Sequence, residues 1–177
     1  LDREKCLKCM ACVSNCLKQA RSVCGVSLSM EEIIQEALAD ALFYKNSGGG
    51  VTISGGDPLL HPNFCHELAT RLKREGVHVA VETSCFPNNW SVIDRLLKVI
   101  DLFIVDLKTL DAIKHESVIR WPLSPILANL NGLFKARANV RLHIPIIPGF
   151  NDSSQDIDAF VSFIAAHAEY ISGVDIL

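Results

Sequence analysis

The chain has 177 residues, enough for one domain with a sizeable core and a small added module. Apolar residues make up 49%, and the net charge is only −3 with no block of like charge. That balance excludes an electrostatic footprint for nucleic acid or an anionic membrane surface. No apolar run approaches the ~20 residues that cross a bilayer, and no signal peptide is visible.

The chain opens on Cys6-x2-Cys9-x2-Cys12-x3-Cys16, the spacing of a bacterial-type [4Fe-4S] ligand run. Thiolates are soft ligands, and iron-sulfur clusters select them. One short loop can wrap three of these cysteines around a cluster. In two-cluster ferredoxins the fourth goes to the other cluster. Cys6, Cys9 and Cys12 therefore form one ligand set, and Cys16 reaches towards a second. Leu17 stands where such runs carry proline. Zinc is the alternative ion, but its structural sites favour two separated pairs. A disulfide framework suits neither the spacing nor the length of the chain. Cys24 is either a further ligand or a buried thiol. Cys65 reads as helix core, and Cys85 as a small buried or half-buried residue just past a strand. Reduced, cluster-binding cysteines imply an oxygen-poor cytoplasm. Leu1 and the strand-like Val174-Asp175-Ile176-Leu177 read as the two ends of a fragment.

Next, Ser29-Met30-Glu31-Glu32 fits a capping box. Ile33, Ile34, Ala37, Leu38, Ala41 and Leu42 then recur on one helical face that runs to Gly48-Gly49-Gly50. A strand is predicted from Val51 to Ser54. A helix follows from about Pro62 to Glu75, with Phe64, Leu68 and Leu72 in register and Gly76 as its stop. A strand over Val77 to Glu82 leads to a helix from about Asn89 to Ile100, and then to a strand over Leu102 to Leu107. Ser124-Pro125 opens a helix, hydroxyl cap then first-turn proline, that ends near Ala136. A strand over Val140 to Ile146, a helix from about Ser154 to Ala168 and a strand over Ile171 to Ile176 complete the pattern. The organisation is a small module at 1–28 and an α/β domain at 29–177. Five strands alternating with helices predict a parallel sheet with right-handed crossovers. A doubly wound open sheet and a (βα) barrel both fit. Both carry their chemistry at the carboxyl ends of the strands.

Polar groups gather at those ends. Ser54-Gly55-Gly56-Asp57-Pro58 follows the first strand, and paired glycines either admit a ligand to the backbone or form a tight turn. The segment is no phosphate loop, since Gly-x4-Gly-Lys-[Ser/Thr] is absent. Glu82-Thr83-Ser84 ends the second strand. Alternation puts Asp106 and Lys108 on one face at the third, where they bind a hydroxyl-bearing and an anionic group or simply pair with each other. On the fourth, His143 shares a face with Arg141 and Pro145, as a core histidine or a functional one. Pro148-Gly149 makes the exit turn.

Taken together, Ser47-Gly48-Gly49-Gly50-Val51-Thr52-Ile53-Ser54-Gly55-Gly56-Asp57-Pro58, Val81-Glu82-Thr83-Ser84, Asp106-Leu107-Lys108 and Ile144-Pro145-Ile146-Ile147-Pro148-Gly149-Phe150-Asn151-Asp152 give a chain that resembles the glycyl-radical-enzyme activating enzymes. These belong to the radical S-adenosylmethionine superfamily, and the pyruvate formate-lyase activating type is the best known. The cysteine run resembles the ferredoxin-like insert of a subset of them. The resemblance implies a partial parallel (βα) barrel, incomplete here, with [4Fe-4S] clusters and S-adenosylmethionine as cofactors. It implies reductive cleavage of S-adenosylmethionine and hydrogen abstraction from a glycine of a partner such as pyruvate formate-lyase. Flavodoxin or ferredoxin would donate the electron. Carried over by position, Gly55 and Gly56 present backbone groups to the cofactor's amino group. Asp57 completes that motif, and Asp106 and Lys108 hold polar parts, the lysine most plausibly the carboxylate. Glu82 and Thr83 fall where relatives have cofactor-site or monovalent-cation ligands, and His143 falls at a cofactor-site arginine.

The departures matter as well. The Cys-x3-Cys-x2-Cys run of the radical-generating cluster is absent, and the resemblance places it upstream of Leu1. Asp57 is one methylene shorter than the glutamate of the Gly-Gly-Glu motif. A histidine at 143 turns a fixed charge into a titratable one. Two other readings stay open: an electron-transfer iron-sulfur protein, and a radical enzyme with a different substrate.

Overall fold

A computed structural model describes residues 4–86 and 89–177. The first three residues of the predicted N-terminal module lie outside the described residues. Two compact units divide between Ile33 and Ile34, within helix α2 (Met30–Leu38). The smaller unit is mostly irregular, with one helical turn, α1 (Ala11–Ser14). Lys8, Met10 and Gln19 take left-handed backbone conformations that bend the chain sharply.

The larger unit holds α3 (Ala41–Ser47), β1 (Gly50–Ile53), α4 (Pro62–Arg74), β2 (His78–Thr83) and α5 (Trp90–Leu96). It continues with β3 (Leu102–Asp106), α6 (Ala112–Ile119), α7 (Ser124–Lys135), β4 (Val140–Ile144), α8 (Ser154–Ala166) and β5 (Ile171–Ile176). All four strand pairings are parallel, in the order β1-β2-β3-β4-β5. A doubly wound sheet reverses its strand order at a switch point. This one never reverses, so same-handed crossovers keep its helices on one side, and the sheet is a partial barrel. One face of β3 and of β4 is sealed: Phe103 and Val105 of β3 and Val140, Leu142 and Ile144 of β4 are buried, as are Leu68 and Leu72 of α4 and Leu130 and Leu133 of α7. The alternate residues, including Asp106, Arg141 and His143, take the other face. Register aligns Asp106 with His143, and His143 with Asp175, in one transverse row.

Local chemistry sets the boundaries. Ser29 and Glu32 make the predicted capping box: the Ser29 N–H donates to Glu32 Oε2 (2.7 Å) and the Glu32 N–H to Ser29 Oγ (3.2 Å). A second box at Ser153 and Asp156 opens α8. Lys114 of α6 donates to both Asp156 oxygens at 2.8 and 2.7 Å, tying α6 to α8. Among the described residues, no helix is long and apolar enough to cross a membrane.

The predicted helix from Ser29 to Gly48 is instead two helices, broken at Ala39-Asp40. Ala41, Leu42 and Phe43 are exposed, so no packing enforces one continuous helix there. Ser124 is no cap: it is already helical and the N-cap is Leu123. The helix expected to reach Ile100 ends at Leu96 and continues as turns. Helix α6 was not foreseen, because Lys114, His115 and Glu116 interrupt its apolar period. Asp111 defines its start, accepting from the Ile113 and Lys114 N–H groups at 2.8 and 3.0 Å.

Candidate cofactor site

A cavity of about 340 Å³ opens at the carboxyl ends of the strands. Its wall includes Gly55, Gly56 and Asp57 after β1, Thr83 on β2, and Asp106 and Lys108 at the end of β3. Gly55 has φ 132°, a conformation reserved for glycine. A Cβ at either Gly55 or Gly56 would meet nothing within 4 Å, so both backbones face open space that a ligand can occupy. Lys108 Nζ lies 3.0 Å from Asp106 Oδ2, both half-buried. Helix α6 and the start of α7 supply wall residues that the strand-end motifs did not reveal: His115, Ile119, Leu123 and Ile126. His115 is buried, and its Nδ1 donates to the Trp121 carbonyl (2.7 Å), since that oxygen can only accept.

Asp57 is a hub. Its Oδ1 accepts from the Leu59 N–H (3.0 Å) and Thr83 Oγ1 (2.8 Å). Its Oδ2 accepts from the Ser84 N–H (3.0 Å) and Ser84 Oγ (2.6 Å). The carboxylate thus ties the Gly-Gly loop after β1 to the end of β2. Thr83 Oγ1 also accepts from the Cys85 N–H (3.0 Å), and Asn129 of α7 donates to the Cys85 carbonyl (2.8 Å). Cys85 itself is fully buried, and desolvation, with Asp57 adding, drives its thiol pKa far above the ordinary range. Burial likewise raises Cys65 to about 11, again with Asp57 adding. Neither thiol is a ready thiolate.

His143 lines no part of this cavity. It stands beside Glu82, a wall residue, with Nδ1 3.3 Å from Glu82 Oε1, and its Nε2 lies 3.2 Å from Asp175 Oδ2. Arg141 grips Asp175 through two bonds, Nε to Oδ2 and Nη2 to Oδ1 (2.7 Å). Gly173 makes room for this fork, since a Cβ there would stand 3.0 Å from the guanidinium. The Arg141 bonds hold the Asp175 carboxyl below the usual carboxylate range. Asn151, fully buried, donates from Nδ2 to the Lys108 and Pro145 carbonyls (2.7 Å each) and accepts from the Ile147 N–H (2.7 Å). The exit turn of β4 is thereby fastened to the end of β3.

In the smaller unit Cys6, Cys9 and Cys12 share the wall of one concave space of about 520 Å³, and Cys16 does not. All four, and Cys24, are free thiols. That arrangement fits a cluster held by three of them, with Cys16 left for another.

These features define a parallel partial barrel with a glycine-lined polar cavity at its strand ends, and the comparisons agree with that class. The radical SAM superfamily profile matches residues 5–163, and the chain belongs to that superfamily. Its cofactors are an iron-sulfur cluster and S-adenosylmethionine. Within it, the chain is 59% identical over 177 residues to the benzylsuccinate synthase activating enzyme of Thauera aromatica, covering 54% of that protein. It is 39% identical over 169 residues to the indoleacetate decarboxylase activating enzyme of Tractidigestivibacter scatoligenes, covering 93% of this chain and 52% of that one. The chain thus spans about half the length of these relatives. A solved domain of the pyruvate formate-lyase activating enzyme from Bacteroides vulgatus superposes with a TM-score of 0.62 at 32% identity, covering 67% of this chain and 73% of that one. Streptococcus suis SuiB bound to S-adenosylmethionine shares the fold, with a TM-score of 0.66 at 16% identity over 89% of this chain and 35% of that one.

Proposed function

We propose that this chain is the S-adenosylmethionine-binding part of a glycyl-radical-enzyme activating enzyme. The observation that carries this reading is one cavity walled by the Gly55-Gly56 backbone and the Asp106–Lys108 pair. Its volume lies in the range of small-molecule sites. Lys108 offers an ammonium to the cofactor's carboxylate, Asp106 an acceptor for a hydroxyl or ammonium, and the two glycines backbone groups without steric cost. Asp57 and Thr83 hold the loops that carry those groups.

In the complete protein a [4Fe-4S] cluster would supply one electron for reductive cleavage of S-adenosylmethionine to methionine and a 5′-deoxyadenosyl radical, and a glycine of the partner would give a hydrogen atom to that radical, leaving 5′-deoxyadenosine and a glycyl radical. Cys6, Cys9, Cys12 and Cys16 belong to an auxiliary ferredoxin-like module, and flavodoxin or ferredoxin is the external donor. Identity of 59% with a benzylsuccinate synthase activating enzyme favours a partner of that kind over pyruvate formate-lyase. The setting is an anaerobic cytoplasm.

The test is calorimetric titration of the reconstituted complete protein with S-adenosylmethionine. Lys108→Ala should abolish measurable binding. Unchanged affinity would refute the cavity assignment.

A further inference from the structure

Behind the cavity wall runs a line of charged side chains: Arg141, Asp175, His143 and Glu82. They come from β4, β5, β4 and β2. Asp106 of β3 shares a row with His143 and Asp175, and Lys108, just past the strand, pairs with Asp106. Arg141 is committed to Asp175 by two bonds, which fixes that carboxylate against His143 Nε2. At the other end, Ser54 Oγ donates to Glu82 Oε2 (2.9 Å), and Glu82 Oε1 faces His143 Nδ1.

The imidazole therefore stands among three carboxylates, Glu82 and Asp175 against its two nitrogens and Asp106 with an oxygen within 4.8 Å. Its Nδ1 is buried and, among the described residues, has no aligned hydrogen-bond partner, although Glu82 Oε1 is only 3.3 Å away. A neutral ring offers one N–H and turns a lone pair towards the other carboxylate. Only the ring carrying both protons has a donor for each. Glu82 reaches the cavity wall and His143 does not.

We propose that Arg141, Asp175 and His143 are positioning residues that orient the Glu82 carboxylate towards the cationic part of the cavity's ligand. His143 then acts through Glu82, not by touching the cofactor. This inference rests on the proposed S-adenosylmethionine site, with Glu82 as the wall residue that meets the ligand's positive charge. The Ser54 bond holds one Glu82 oxygen, and the His143 ring stands against the other, which limits how far the carboxylate can turn. The pair Arg141–Asp175 keeps the imidazole from turning in its place.

The test is anaerobic titration of the reconstituted complete protein with S-adenosylmethionine, alongside its thermal midpoint and its rate of S-adenosylmethionine cleavage at saturation. Loss of a restrained charge-assisted contact predicts a five- to tenfold weaker affinity for both Asp175→Asn and His143→Phe. The saturated cleavage rate should stay within about twofold, because the ligand is held less tightly but reacts in the same place. The double variant should be no weaker than the worse single one, as expected for a line that acts in series. His143→Arg, a fixed cation between the same carboxylates, should restore affinity. Glu82→Gln should weaken binding at least as much as Asp175→Asn. If Lys108→Ala abolishes binding while the Asp175, His143 and Glu82 variants bind normally, the inference falls and the cofactor site stands. Additive losses in the double variant, or no rescue by arginine, would also overturn it. Unchanged binding in Lys108→Ala would bring down the cofactor site and this inference together.

Discussion

Removing the Asp57 carboxylate should loosen the floor of the cavity by an amount the structure allows to be worked out. Four hydrogen bonds end on it, from the Leu59 N–H, Thr83 Oγ1, the Ser84 N–H and Ser84 Oγ. A bond to a charged acceptor contributes about 1.5–3 kcal/mol when its donor cannot turn to water. Ser84 is half-buried, so its bonds partly regain solvent; Thr83 and Leu59 are both buried. Counting the Thr83 and Leu59 bonds in full gives about 3–6 kcal/mol for Asp57→Ala. Asp57→Asn keeps one carbonyl oxygen but turns an NH2 towards other donors, so it should cost about half as much. Equilibrium urea unfolding of the complete protein reads this as a lower midpoint at constant slope. Affinity for S-adenosylmethionine should fall in the same order, because the Gly55-Gly56 loop is what Asp57 fastens. An alanine variant within about 0.5 kcal/mol of the parent, or an asparagine variant less stable than it, would refute the hub.

A Cβ on Gly50 would stand 1.9 Å from the His78 carbonyl oxygen, which is backbone and cannot swing aside. Gly50→Ala should therefore cost about 1–3 kcal/mol by thermal or urea unfolding, and hydrogen exchange should rise along the β1–β2 ladder. Asn151→Ala strands the Lys108 and Pro145 carbonyls and the Ile147 N–H, with an expected loss of about 2 kcal/mol and weaker cofactor binding by titration. Acid should destabilise the fold through Asp156 and Asp175, whose carboxyls are held low chiefly by bonds from Lys114 and Arg141. Because these groups bind protons more weakly when folded, their stabilisation is complete above about pH 4 and is lost as pH falls below it. Unfolding free energies measured between about pH 5 and 2 should fall, and Lys114→Met should flatten the Asp156 share of that fall.

Much of the architecture was legible because apolar period and punctuation agreed. Strand β5 was placed at its observed bounds, and Gly76, Ser29 and Glu32 did what such residues do at helix ends. Helix α6 escaped because only its cap carried a signal, while its interior mixes Lys114, His115 and Glu116 with apolar residues. His115 was lost with it. The strand-end motifs located the cavity, since position at a carboxyl end follows from topology alone. What they could not give was side-chain commitment. The motif that holds Asp57 carries no sign that its carboxylate binds partners 26 and 27 residues on. His143 shared a predicted face with Arg141, but its neighbours Glu82 and Asp175 sit on other strands, and only register brings them together.

That reliance on register ties the cavity to the order in which the chain folds. Its groups come from successive strands, and even the bond that ties the loop after β1 to Thr83 of β2 spans 26 residues. Parallel pairing of this kind closes long loops before it gains contacts, so it forms slowly and late. A partly assembled sheet would carry the glycine loop without the Asp106–Lys108 pair, or the histidine without its aspartate, and would offer a ligand almost nothing. Ligand capture in the refolding protein should accordingly lag behind helix formation and follow the pairing of β3 with β2, making binding a clock for assembly of the sheet.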